Sequence, residues 1–219
     1  NNFAYMWLTQ LILKKGDYTT QTVVGQRKVK PIVVDEGPCR TMEPTIYLTT
    51  GEVNGQDYLF MPTEGKKMYI FNLEDMVKVR EVTIPFNTCR GIGTDKDGMI
   101  WLVGDTSLVH RYDPYTNTGM TTYNYKLSGG IDNSTTAFDM EFDDQGNIYF
   151  GTFSMGYVVK YDPQADKFSK VGGDINPDAG YSCGIEVKDG FLYAAVSGDR
   201  NSDGIKIAEV VKIDLATDK

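Results

Sequence analysis

Histidine and cysteine are scarce in this chain: His110 stands alone, and the cysteines are Cys39, Cys89 and Cys183. One histidine rules out a multi-histidine metal centre, and no Ser-His-Asp or Cys-His constellation is recognisable along the sequence. Three cysteines allow at most one disulfide, and they lack the C-x-x-C spacing of a structural zinc site. Positive charge is also in deficit, with 22 Lys and Arg against 30 Asp and Glu for a net charge of -8. The one dense basic stretch, "GQRKVK" at residues 25–30, is too short to make the stripe or patch that a general nucleic-acid binder presents. Long apolar runs are missing as well. The longest, "FAYMWLTQLIL" at residues 3–13, has about half the length needed to span a bilayer. It contains Thr9 and Gln10, has no basic segment before it and reads as strand. The composition thus argues against a nucleic-acid partner and against a membrane span.

What the chain does have is a repeat. "DKDGMIWLVGDTSLVHRYDPYTNTGM" and "DDQGNIYFGTFSMGYVVKYDPQADKF" share a Gly turn, two apolar runs and a Tyr-Asp-Pro turn. Two more copies follow the template. Gly55 leads one that closes at Phe71-Asn72-Leu73, and Gly190 leads another that closes at Ile213-Asp214-Leu215. The anchor glycines Gly55, Gly98, Gly146 and Gly190 recur at spacings of 43, 48 and 44 residues. A period of this size marks units that bury their apolar faces only against neighbouring units.

Each unit divides into runs of four to seven residues rich in Val, Ile, Tyr, Phe and Thr, separated by Gly, Asp, Asn and Pro, which is the strand-and-turn signature. The predicted class is all-β, a β-propeller of four-stranded antiparallel blades. The count is four blades plus a partial one, compatible with a piece of a larger propeller. As a single propeller domain, 1–219 divides into a partial blade and irregular loop at 1–44, then repeats at 45–88, 89–135, 136–180 and 181–219. Residues 25–44 are open to a long-loop reading. The adjacent pairs Val158-Val159 and Val210-Val211 suit third strands covered on both faces. The recurring aromatics Trp101, Tyr149 and Tyr193, with Tyr112 and Tyr161, read as packing between blades. A parallel β-helix is the structural competitor, but its rungs have about half this period. The chain starts without Met and stops just after a strand-closing turn, so both ends read as cut from something longer.

The units "PFNTCRGIGTDKDGMIWLVGDTSLVHRYDPYTNTGMTTY" and "AFDMEFDDQGNIYFGTFSMGYVVKYDPQADKF" resemble the repeats of the streptogramin (virginiamycin B) lyase and gluconolactonase-like propeller superfamily. They are also similar to the ligand-sensing propeller repeats of bacterial two-component regulators. The lyase resemblance implies a metal-assisted elimination with a catalytic histidine. Here the repeat equivalents of His110 are Tyr69, Val159 and Val211, so His110 reads as a packed, hydrogen-bonded side chain and the chemistry does not carry over.

In a propeller, the loops before the first strand and between the second and third strands converge around the channel on one face, which makes that face the expected ligand site. Its polar contributors are Arg90, Asp139 and Cys183 at the starts of first strands, with Glu141 and Glu186 further in. Asp105, Ser154, Asp199 and Asp203 come from the second-to-third strand loops. Arg90 offers a rigid fork to an anionic or polar ligand, or neutralises Asp139 or Glu141. The acids Asp139, Glu141 and Glu186 are the candidates for proton transfer or metal binding. "DRNSDG" at residues 199–204 matches D-x-[DN]-x-[DN]-G through Asp199, Asn201, Asp203 and Gly204, an oxygen-rich loop suited to Ca²⁺ or another divalent metal. The bidentate Glu of that pattern is missing, since its place is Val210 and Glu209 falls one residue early.

The expected function is a ligand-binding or interaction module of a larger, secreted or extracytoplasmic bacterial protein. It would bind carbohydrate, another small polar molecule or a protein. The alternative is a metal-assisted lyase or lactone hydrolase acting on a carbohydrate-like substrate. Asn133-Ser134-Thr135 is a glycosylation acceptor only in a eukaryotic secreted context.

Overall fold

Gly55, Gly98, Gly146 and Gly190 all have φ between 77° and 88°, a left-handed backbone that glycine adopts freely. They sit at the turns that join the first and second strands of four successive units. The computed structural model describes residues 20–23 and 26–29 as backbone, and residues 47–125, 136–153, 156–173, 175–176, 179–198 and 207–219. Among the described residues its elements are all β-strands. The chain separates into two compact units, residues 1–44 and 45–219.

In the first unit, β1 (Thr20–Val23) and β2 (Gln26–Val29) form an antiparallel hairpin. Part of the stretch left open to a long loop is therefore strand, and it carries most of the basic run.

The second unit repeats one meander. The first blade is β3 (Thr49–Val53), β4 (Gln56–Pro62), β5 (Lys67–Asn72) and β6 (Lys78–Thr83). The second is β7 (Cys89–Thr94), β8 (Ile100–Gly104), β9 (Leu108–Tyr112) and β10 (Met120–Asn124). The third is β11 (Thr136–Phe142), β12 (Ile148–Phe153), β13 (Val158–Asp162) and β14 (Lys167–Val171). The fourth has three strands among the described residues: β15 (Tyr181–Lys188), β16 (Phe191–Gly198) and β17 (Ile207–Asp214). Within each blade the strands pair antiparallel in chain order. The first strands neighbour one another from blade to blade, β3 by β7, β7 by β11 and β11 by β15, which places them innermost.

The Gly turns are built in two ways. Asn54-Gly55 and Asp189-Gly190 are two-residue hairpin turns with both residues at positive φ, the geometry that matches strand twist. In the second and third blades an Asp side chain organises a wider loop. Asp95 Oδ1 accepts from Asp97 N and Met99 N while its Oδ2 accepts from Trp101 Nε1 at 2.7 Å. Asp143 repeats this, accepting from Gln145 N and Asn147 N on Oδ1 and from the Tyr149 hydroxyl at 2.9 Å on Oδ2. The Tyr-Asp-Pro turns are equally determined. Tyr112 and Tyr161 donate to Asn117 and Asp166, each at 2.8 Å, and both acceptors sit at positive φ.

Of the recurring aromatics, Trp101, Tyr112, Tyr149 and Tyr161 are core, as their recurrence suggests, whereas Tyr193 is only half-buried in the fourth blade. Trp101 and Tyr123 of the second blade lie 5.5 Å apart, and each is within 5.6 Å of Tyr161 from the third blade. Side chains of this size bury roughly 150–250 Å² each and dominate the energetics of such a junction. His110 follows the same logic: it is buried, Nδ1 bonds Thr122 Oγ1 at 2.9 Å, and Phe86 lies 5.1 Å away. Burial lowers its pKa to about 4, leaving a neutral ring.

One expectation needs correction. Val158 and Val159 are fully buried, but Val210 is 75% exposed and Val211 only half-buried. β17 is the outermost described strand of the last blade, and no described strand covers its far face.

Candidate functional site

Three of the four inner strands carry an irregularity at the same place. The ladder of β7 with β8 shifts between Cys89 and Gly91, that of β11 with β12 between Phe138 and Glu141, and that of β15 with β16 between Ser182 and Gly184. The residues left over are Arg90, Asp139 with Met140, and Cys183. A bulge inserts an unpaired residue and re-aims its side chain, and bulges recur beside functional sites. The three residues read from the sequence as channel contributors are thus the bulge residues of three successive blades.

They share one electrostatic neighbourhood with Tyr47, a residue that sequence reasoning missed. The Tyr47 hydroxyl has its pKa raised by burial first and then by Asp139, with Arg90 pulling the other way and both Cys89 and Cys183 contributing. Partial burial raises the Cys183 thiol pKa while Arg90 lowers it. Cys89 is different in kind: it is buried, donates to Gly91 O at 3.3 Å, and its thiol is pushed up to about 12 by burial. Both are free thiols.

Asp139 is strained and committed. Its φ is 51°, its Oδ1 accepts from Met140 N, and its Oδ2 accepts from Ile185 N of the fourth blade, each at 2.9 Å. It therefore braces the third blade against the fourth. Arg90 does not neutralise it, since no ion pair within 4.0 Å involves Arg90 among the described residues. Instead the guanidinium lies 5.1 Å from the centroid of the Phe138 ring, and Arg90 Nε is buried without a hydrogen-bond partner among the described residues.

Asp105 joins Arg90 by register. Cys89 pairs with Gly104, and Asp105 N donates to Thr88 O at 3.2 Å, so Asp105 and Arg90 hold diagonally adjacent positions at the end of the β7–β8 pair. Asp105 Oδ1 and the neighbouring Thr106 Oγ1 are likewise buried without partners among the described residues. Next to Phe138 stands a second aromatic pair missed in the sequence. Tyr181 lies 6.3 Å from Phe138 and 4.6 Å from Phe153, and Phe153 is its ladder partner. No repeat signal marks this pair, because it arises where the third and fourth blades meet.

Deeper along the inner strands, Glu141 and Glu186 occupy adjacent blades where the first two blades have Gly51 and Gly93. Burial, then Glu186 and Asp139, push the Glu141 carboxyl up to about 7. No group of three His, Cys, Asp or Glu side chains among the described residues is arranged to hold a metal ion. Ser154 and the loop residues Asp199, Asn201 and Asp203, with their proposed Ca²⁺ site, lie outside the described residues.

Two surface hollows, of about 360 and 450 Å³, open on the opposite, hairpin face. Some of their polar groups serve the turns: Arg80 donates to the Tyr112 hydroxyl at 2.9 Å, and Asp143 holds its own loop. Neither hollow approaches the Arg90 cluster.

Comparison with known structures defines the class as β-propeller. A protein of unknown function from Bacteroides caccae superposes with a TM-score of 0.52 at 16% identity, covering 78% of this chain and 64% of that one. The extracellular domain of a protein assigned as a one-component system in B. thetaiotaomicron gives 0.59 at 16% identity, covering 78% and 21%. A catalytically inactive virginiamycin B lyase from Staphylococcus aureus, bound to quinupristin, gives 0.58 at 13% identity, covering 80% and 54%. The chain thus spans less than two thirds of each of these structures, and identities this low establish the fold alone. No family model and no curated protein matches the sequence.

Proposed function

We propose that residues 45–219 are a noncatalytic ligand-binding part of a propeller. Its inner-strand mouth takes a carbohydrate or another small polar molecule, and it works as a module of a larger extracytoplasmic protein. The observation that carries this reading is the alignment of three bulges that bring Arg90, Asp139 and Cys183 into one neighbourhood. Convergent polar groups on a concave scaffold are the default signature of a ligand site. The module context draws support from the extracellular neighbour, of which the chain matches a fifth of the length. A fold of this kind hosts many functions, so the site and not the fold bears the argument.

The test is ligand-observed NMR of the 219-residue chain against neutral sugars, acidic sugars and small organic acids, repeated with Arg90→Gln. Saturable binding by at least one class, lost in the variant at unchanged melting temperature, is the expected result. Binding that Arg90→Gln leaves intact, or no binding in any class, defeats the reading.

The second reading, an enzyme acting on a carbohydrate-like substrate, has one observation in its favour. A Glu141 carboxyl near 7 beside Glu186 suits a general acid or base. Turnover of a binding ligand that disappears in Glu141→Gln, with binding retained, would select it.

A further inference from the structure

Resting on the binding reading above, the geometry points to a more definite ligand: a small carboxylic acid with a hydrogen-bond donor on the adjacent carbon, an α-amino or α-hydroxy acid, and an apolar side chain. The argument starts from unfilled capacity. An arginine taken partly out of water is normally matched by a carboxylate, because a buried unmatched donor carries a desolvation penalty. Arg90 has no such match among the described residues, and the nearby carboxylate of Asp139 is bonded to two backbone N–H groups. At the diagonally adjacent position the reverse deficiency stands, a carboxylate oxygen of Asp105 and the Thr106 hydroxyl without partners.

An unmatched donor and an unmatched acceptor of opposite charge, held on one strand pair yet not bonded to each other, complement a ligand that carries both partners on neighbouring carbons. The ligand carboxylate meets the guanidinium, whose planar fork suits it. The α-amino or α-hydroxyl group donates to Asp105. The third feature fixes the rest of the ligand. Arg90 is stacked on Phe138, and Phe138 in turn lies 6.3 Å from Tyr181, which is 37% exposed although it is a large aromatic side chain. That ledge offers an apolar surface on which a ligand side chain can rest.

Four isosteric probes separate the three anchors: L-phenylalanine, L-3-phenyllactate, 3-phenylpropionate without the α donor, and phenethylamine without the carboxylate. Isothermal titration with the 219-residue chain is expected to show binding by at least one of the first two. Weakening by about tenfold or more is expected for 3-phenylpropionate, because a site built around a polar partner discriminates against its absence. No binding is expected for phenethylamine. Arg90→Gln should abolish binding at unchanged melting temperature. Asp105→Asn should weaken the amino acid more than the hydroxy acid if the donor is ammonium, and both alike if it is hydroxyl. Tyr181→Ala, at a partly exposed position, provides a variant that tests the ledge without disturbing the core, and it should weaken every binding probe. The inference is overturned if 3-phenylpropionate binds as tightly as phenylalanine and phenyllactate, if Arg90→Gln binds like the parent, or if none of the four probes binds. In the last case, a sugar hit in the wider panel would leave the binding-module reading standing without this ligand class.

Discussion

Between the second and third blades, Trp101, Tyr123 and Tyr161 bring ring centroids within 5.1–5.6 Å of one another, and the five residues of β8 are all buried. In the fourth blade the same template yields β16, with burial that alternates, and β17, whose Val210 is 75% exposed. Both regions have the same antiparallel order, and in both the closing turns are held by an Asp, since Asp113, Asp162 and Asp214 each accept from the backbone N–H two residues on. The difference lies in what covers each sheet. A blade's strands are buried on both faces only where neighbours supply the second face, so burial in this fold is a property of position in the array rather than of the repeat.

The largest effect should come from the packed junction. Trp101→Ala is expected to lower stability by about 3–5 kcal/mol in urea denaturation, from lost burial plus a cavity. Tyr193→Ala, at the equivalent and only half-buried position of the fourth blade, should lose markedly less. Equal losses would break the contrast between the two regions.

A second pair of substitutions asks how closely the backbones approach. A Cβ on Gly151 would run into the Ser182 carbonyl, whereas one on Gly184 meets nothing nearer than the Ala195 Cβ at 3.8 Å. Gly151→Ala should destabilise by roughly 1–3 kcal/mol through overpacking. Gly184→Ala should change stability by less than about 0.5 kcal/mol or raise it slightly, through the restricted unfolded chain. The midpoint of chemical unfolding measures both.

The third-strand valines sharpen the comparison further. Val158→Ala removes buried methyl groups and should lose about 2 kcal/mol, while Val210→Ala should stay within about 0.5 kcal/mol. A large loss at Val210 would mean that its face is covered in solution.

The smallest effect is a pH slope, because two groups oppose each other. His110, with its folded pKa lowered to about 4 from 6.5, contributes stability that is present above pH 6.5 and lost as pH falls toward 4. Glu141, raised to about 7 from 4.5, contributes stability that is present below pH 4.5 and lost as pH rises through 7. Between these limits the wild-type melting temperature should vary little on their account. His110→Gln should leave stability falling more steeply with rising pH, and Glu141→Gln should leave it rising more steeply. Parallel profiles in all three proteins would remove both groups from the account.

Much of this was legible in the sequence because it is local. Gly98 and Gly146 with Asp95 and Asp143, and the Tyr-Asp-Pro turns, define their own conformations through contacts a few residues apart. Repetition then identified Trp101 and Tyr161 as core and His110 as a packed side chain. Arg90, Asp139 and Cys183 were found by alignment of equivalent positions, although the bulges that set them there have no sequence signature of their own. Tyr47, Phe138 and Tyr181 were missed because their meaning depends on which blades meet.

The sequence by itself determined the repeat, its strand boundaries, its turns and the class of fold, since short-range hydrogen bonds and side-chain periodicity act within one unit. Tertiary structure alone decided which copies of the repeat are covered, as Val158 and Val210 show. It also decided that Arg90 lies on Phe138 instead of pairing with Asp139, and that Asp139 spends its carboxylate on a neighbouring blade. Those outcomes depend on contacts between residues 46 and 48 positions apart in the chain, where the packing of one blade on the next sets the distance.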